Sequence, residues 1–169
     1  MDNIKINSDR FILRTLRLKD NFDAYLSWMK DIENNKYILT ARSDYSLDEL
    51  TSFVDGNNRS PKEILLGIFT KDLKHIGNIR YSNINRSEKA AEVGFLIGDL
   101  NFRGLGIAEE VFFSTMNWMS SKLQIETVYL GVHPQNIPAT KLYKKLGFLQ
   151  VESSGPEMKS MRMKLEFRS

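Results

Sequence analysis

The chain has 169 residues, 41% of them hydrophobic and 27% charged, with a formal net charge of +3 and no cysteine. That length fits a single domain over 1–169 with a sizeable core, and the lack of cysteine excludes disulfides, thiolate metal sites and a cysteine nucleophile. The basic residues are dispersed among nearly as many acids, which argues against nucleic acid as a partner, and no apolar run approaches the roughly 20 residues of a membrane-spanning helix.

The opening MDNIKINSDR is polar and has no apolar signal-like core, so a cytoplasmic protein with no membrane partner is expected. FILRTL, from Phe11 to Leu16, reads as the first strand. Phe22, Tyr25, Leu26 and Met29 follow at helical spacing. ENNKYILTARSDYS is irregular, and its Ser46 can cap a second helix, with Glu49 completing a capping box. Leu47, Leu50, Phe53 and Val54 give that helix its apolar face; Asp55-Gly56-Asn57-Asn58 predicts its end and Pro61 a loop. The period then changes to two. EILLGIF (63–69), HIGNIRYSNI (75–84) and AEVGFLIG (91–98) read as three strands, and the links Thr70–Lys74 and Asn85–Lys89 suit hairpins. A long helix is predicted from Gly104 to Leu123, burying Ala108, Val111, Phe112, Thr115 and Met119. IETVYLGV (125–132) is a strand, and Asn136–Leu146 a short helix stopped by Gly147. Two more strands are expected between Phe148 and Phe167, around Ser153-Gly155-Pro156. The order predicts an α/β (α+β) domain: a mixed, mostly antiparallel sheet of six to seven strands flanked by about four helices.

NFRGLGIAEE (101–110) is the most informative stretch. A dinucleotide fingerprint would need a third small residue where Glu109 stands, and a first βα turn where a meander precedes it. A Walker loop fails because the chain contains no G-K-[ST]. The glycines could simply form a tight turn. They could also open a helix whose free N–H groups and positive dipole end receive an anion.

The spacing Arg103…Gly106…Ala108 (R-x-x-G-x-A) resembles the acyl-CoA signature of the GNAT N-acetyltransferases. VHPQNIPATKLYKKLGF (132–148) is similar to a second conserved block of that family, with Asn136, Ala139, Tyr143 and Gly147-Phe148 in matching places. RFILRTLRLKDNFDAYLSWMKD and AEVGFLIGD resemble its RimJ/RimL-like branch, which acetylates ribosomal-protein N-termini and related amines. The resemblance spans almost the whole chain. It implies the acyl-CoA acyltransferase fold, acetyl-CoA as donor, no metal, and attack by a primary amine through a tetrahedral intermediate. A homodimer is the common state of the family, although no interface stripe stands out here.

By the same resemblance, Phe95, Leu96 and Ile97 line a slot between splayed strands. A backbone N–H there would face the oxyanion. Arg103, Gly104, Leu105, Gly106, Ile107 and Ala108 would cradle the diphosphate, with the Arg103 guanidinium as a bidentate donor. Asn136 would hydrogen-bond the cofactor arm; its structural alternative is an N-cap. Tyr143 is the candidate general acid for the thiolate, or else a half-buried helix aromatic. Glu92, two residues from Gly94 on one strand face, is the candidate base, or else a solvated Glu. His75 and His133 show no metal-like cluster. Glu109 and Glu110 suit the helix dipole, and Lys141, Lys144 and Lys145 read as a solvated helix face more than a phosphate site. The acceptor site is expected between about residues 20 and 60. Trp28, Tyr45 and Arg42 are its candidate residues, with Arg59 nearby. An amino sugar on a nucleotide carrier, or another small amine, is the first acceptor expected. A peptide N-terminus is the alternative, and a non-catalytic acyl-CoA-binding module a further one.

Overall fold

The computed structural model describes residues 3–38, 41–151 and 160–167. Its centre is an eight-stranded sheet in the order β1-β2-β3-β4-β5-β6-β8-β7. The strands are β1 (Lys5–Asn7), β2 (Phe11–Thr15), β3 (Ile64–Thr70), β4 (His75–Asn85), β5 (Ala90–Ile97), β6 (Thr127–Val132), β7 (Leu149–Gln150) and β8 (Met161–Glu166). Every neighbouring pair is antiparallel except β5 and β6, which run parallel. The sheet has one strand more than the upper count expected, because β1, three residues with Ile6 alone apolar, is too short to announce itself; the two strands expected between Phe148 and Phe167 are β7 and β8. The expected turn around Ser153-Gly155-Pro156 lies outside the described residues.

Four helices complete the fold: α1 (Asp23–Lys30), α2 (Leu47–Arg59), α3 (Ile107–Leu123) and α4 (Ile137–Lys145). One sheet face packs α1 and α2 over Leu16, Tyr25, Trp28, Leu50, Val54 and Leu65. The other packs α3 and α4 over Ile79, Tyr81, Phe112, Met116, Val128 and Phe148. Period-two alternation makes this division: along β5, Ala91 and Val93 join the α3 side while Leu96 turns to the α1–α2 side. Inside the α3 side, the Tyr81 hydroxyl and Thr115 Oγ1 meet at 2.8 Å, so the buried polar groups satisfy each other.

Two boundaries differ from expectation. The α2 helix continues through Asp55-Gly56-Asn57-Asn58 to Arg59. These polar residues bond to the helix's own backbone and to neighbouring segments instead of turning the chain. Asn57 Nδ2 donates to Phe53 O and Asn58 Nδ2 to Leu16 O. The long helix begins at Ile107 and not Gly104, because Gly104 and Gly106 adopt left-handed φ values of +76° and +73°.

Candidate active site

Three elements converge where β5 and β6 part. Their parallel pairing runs from Ala90 opposite Thr127 to Glu92 opposite Tyr129. The strands then continue to Ile97 and Val132 without further ladder pairs among the described residues. Past Ile97 the chain makes a 3-10 turn, Leu100–Phe102, and enters the Gly104–Gly106 loop that starts α3.

That loop fits an anion. A Cβ at Gly104 would meet no atom within 4 Å, and one at Gly106 only the tip of Arg10 at 4.0 Å. The helix start is therefore open, and its first N–H groups have no partner within α3 itself. Its position is fixed from outside. Glu110 Oε1 accepts from Ser8 Oγ at 2.6 Å and from the Arg10 backbone N–H at 2.8 Å. Arg10 Nε bonds Glu110 Oε2, while its two terminal nitrogens reach Leu105 O at 3.2 Å each. Burial alone would raise the Glu110 pKa, but the bonds from Ser8 and Arg10 outweigh it and hold the carboxyl below its ordinary value. At the far side, Lys145 of α4 pairs with Glu109 of α3.

The expected guanidinium donor points elsewhere. Arg103 Nε donates to Ile97 O, Nη1 to Asn34 O and Nη2 to Asn35 Oδ1. With every nitrogen on the protein, its side chain braces the loop after α1 against the end of β5, and only its backbone remains part of the cradle. Ile107 is buried in the core while Leu105 is exposed.

On the α3 side of β5, the Phe95 ring lies 5.9 Å from Phe112 and 6.2 Å from Tyr143. Tyr143 also touches Phe148 at 5.8 Å. Its hydroxyl has no hydrogen bond among the described residues, and burial pushes its pKa up to about 12. Asn136 caps α4, its side chain accepting from Ala139 N–H at 3.3 Å. Its amide nitrogen is not used by that bond.

On the opposite face of β5 is a cavity of about 170 Å³. Tyr25, Tyr45, Phe53 and Leu65 line it with the Gly94–Leu96 segment, and Asn78 and Arg80 are its polar lining. A Cβ at Gly94 would meet nothing within 4 Å. The slot and the cavity thus share one strand. Glu92 stands at the apex of the split, with Oε1 3.7 Å from Arg162 Nη2. It is outside the cavity lining.

The structure sorts the expected acceptor residues. Tyr45 lines the cavity. Trp28 does not: it packs 5.1 Å from His75 and fills the space where a Gly98 side chain would stand, 1.9 Å from that Cβ position. Arg42 pairs with Asp44 and Glu49 and covers the Tyr45 ring. Arg59 pairs with Asp55 at 2.8 Å. Among the described residues, no group of three or more His, Asp or Glu could hold a metal, and no helix is long and apolar enough to cross a membrane.

The sequence reading missed Asn78, Arg80 and Phe53. The signal existed: Asn78 and Arg80 alternate with Ile79 and Tyr81 in a central strand, where polar residues on a covered face call for a reason.

Residues 10–149 match the Acetyltransferase (GNAT) domain family. The "Uncharacterized N-acetyltransferase p20" of Bacillus licheniformis is 25% identical over 144 residues, 83% of this chain and 80% of that protein. An N-alpha-acetyltransferase of Sulfurisphaera tokodaii is 33% identical over 75 residues, 43% of this chain and 45% of its own. Among solved structures, a RimL ribosomal-protein acetyltransferase in complex with coenzyme A superposes with TM-score 0.82 at 15% identity, covering 97% of this chain and 98% of its own. The spermidine N-acetyltransferase of Vibrio cholerae in complex with CoA and spermine gives 0.76 at 22% identity, covering 93% and 95%.

Proposed function

The chain belongs to the GNAT family of N-acetyltransferases, and from that premise we propose that it moves an acetyl group from acetyl-CoA to a small primary amine held in the cavity beside Gly94. The supporting observation is the parting of β5 from β6 after Glu92, which leaves a slot between the open start of α3 and that cavity. A donor thioester in the slot and an amine in the cavity would meet across one strand, which supplies the proximity that acyl transfer needs.

The diphosphate would lie on the backbone of Arg103, Gly104, Leu105, Gly106, Ile107 and Ala108, with the arm along Phe95, Leu96 and Ile97 and near the free amide nitrogen of Asn136. The neutral amine attacks the thioester carbon, and a backbone N–H of β5 stabilises the oxyanion. The C–S bond breaks, the Tyr143 hydroxyl protonates the departing thiolate, and the proton that the nitrogen sheds as the amide forms returns through water to the phenolate. A phenol with its pKa pushed up to about 12 carries its proton at neutral pH, and its freedom from other hydrogen bonds keeps that proton for sulfur. Glu92, through water, takes the proton that the incoming ammonium must lose.

A nucleotide-carried amino sugar would need cations for its diphosphate, and Arg42 and Arg59 are the arginines in the expected acceptor region. Both are already paired with acids, so the smaller amine is the better reading. A peptide N-terminus stays as a second acceptor because of the match to an N-alpha-acetyltransferase. The deciding assay follows coenzyme A release with a thiol reagent across a panel of amines. Tyr143→Phe is expected to lower kcat by roughly 10²–10⁴ with the acetyl-CoA KM little changed. Full activity in this variant would remove Tyr143 from the mechanism, and acetyl-CoA binding without turnover of any amine would favour a binding module.

A further inference from the structure

The cavity's polar lining carries more information than its size. Asn78 is 3% exposed, on β4 opposite Leu96. The Nε2 of His75 lies 3.0 Å from Gly77 O and 3.0 Å from the Asn78 side-chain oxygen. A backbone carbonyl can only accept, so Nε2 carries the hydrogen, and the amide atom facing it must also be an acceptor. This fixes the orientation of the carboxamide: Oδ1 faces the imidazole and Nδ2 is the other prong. That buried Nδ2 has no hydrogen-bond partner. A buried donor left unpaired is costly, and natural structures rarely tolerate one without a reason.

The surroundings say what it waits for. Arg80 follows two residues later on the same strand face, held by Asn57 Oδ1 and Glu63. The walls are aromatic and aliphatic, and among the described residues no Asp or Glu lines the cavity. A free donor matches an oxygen, and a lining whose cation is already paired with Glu63 offers a second ammonium no counter-charge.

Resting on the acetyl-transfer reading above, we propose that Asn78 selects the acceptor: its Nδ2–H donates to an oxygen that the amine substrate carries close to its reacting nitrogen. His75 acts through Asn78 as a positioning residue. The substrate class is an amine bearing a carbonyl, carboxylate or hydroxyl, and di- and polyamines are disfavoured. The likeness to a spermidine acetyltransferase therefore extends to the fold and not to the acceptor.

The test measures kcat/KM of the full chain for glycinamide, glucosamine, a short peptide, butylamine and 1,4-diaminobutane. The wild-type protein should prefer an oxygen-bearing amine over butylamine by about tenfold, the value of one hydrogen bond, with the diamine poorest. Glycinamide, glucosamine and the peptide tell which oxygen is read. Asn78→Leu should erase the preference by raising the KM of the oxygen-bearing amines toward that of butylamine. Asn78→Asp, which replaces the free donor with an acceptor, should shift selection toward the diamine. Unchanged ratios in both variants overturn the assignment while leaving acetyl transfer intact. So does a diamine as best wild-type substrate, a result that needs no variant to fold. Failure to acetylate any amine overturns both readings.

Discussion

Gly94 shows how one missing side chain can keep a site open. It is exposed, lies opposite Arg80, and its absent Cβ leaves free the space that the cavity uses. Its backbone is ordinary strand, unlike that of Gly104 and Gly106, so a larger residue fits without strain. Gly94→Val should therefore leave the melting temperature near wild type, since valine favours strands. It should raise the acceptor KM about tenfold or more by occupying the amine's space, a separation that steady-state kinetics and a thermal melt read directly. Gly104→Ala should instead cost stability, because a side chain at φ +76° is strained. The glycine turn before α3 and the helix that carries Tyr143 were legible in the sequence because their spacing is local. Asn78 was not, since its meaning depends on His75 bending back to the same strand and on two helices covering its face. The Arg103 side chain misled for the same reason: its partners Asn34 and Asn35 lie about seventy positions earlier, where no local pattern reaches.

At the scale of elements, the start of α2 follows local chemistry. Ser46 Oγ accepts from Glu49 N–H at 3.2 Å, and the Glu49 carboxylate accepts from Ser46 N–H at 2.9 Å, so two end groups are satisfied reciprocally. Ser46→Ala should destabilise the protein by about 1 kcal/mol, measured by urea denaturation with an unchanged m-value. The helix end illustrates the opposite case. Asp55-Gly56-Asn57-Asn58 has turn-like composition, yet Arg80 draws Asn57 Oδ1 at 2.9 Å and keeps the helix winding. The edge strand β1 was illegible because three residues give no period to detect. The central meander of β3, β4 and β5 was read correctly, as its hairpin links are short and its alternation long.

Across the whole molecule, buried and paired ionisable groups set how stability responds to acid. His75 lies among Phe69, Trp28 and Tyr25, and burial holds its pKa below the ordinary 6.5 despite its bonds to Asn78 and Gly77. The unfolded chain then takes a proton that the folded chain resists, so this contribution is complete above pH 6.5 and is lost as the pH falls below it. A second loss belongs to carboxyls held low in the fold. The bond from Lys74 lowers Asp99, and the Ser8 and Arg10 bonds lower Glu110. Their contribution is present above the ordinary values of 3.8 and 4.5 and disappears as the pH drops through their folded values. Melting temperatures taken from pH 8 downward should decline in two stages, and His75→Gln should remove the first while keeping the second.

The segment after α1 is tied to both banks of the split. Arg103 grips it at Asn34 and Asn35, while the Tyr37 hydroxyl donates to Gln135 O at 3.0 Å and its ring stacks on His133 at 5.2 Å. It therefore works as a tie-bar: any ligand that widens or narrows the gap must pull on the chain that runs toward Tyr45 and the amine cavity. On the proposed function, thermodynamic reciprocity then requires that any factor by which coenzyme A changes the amine's affinity equal the factor by which the amine changes that of coenzyme A. Calorimetry in both orders of addition should return that factor, and Tyr37→Phe should move it toward unity.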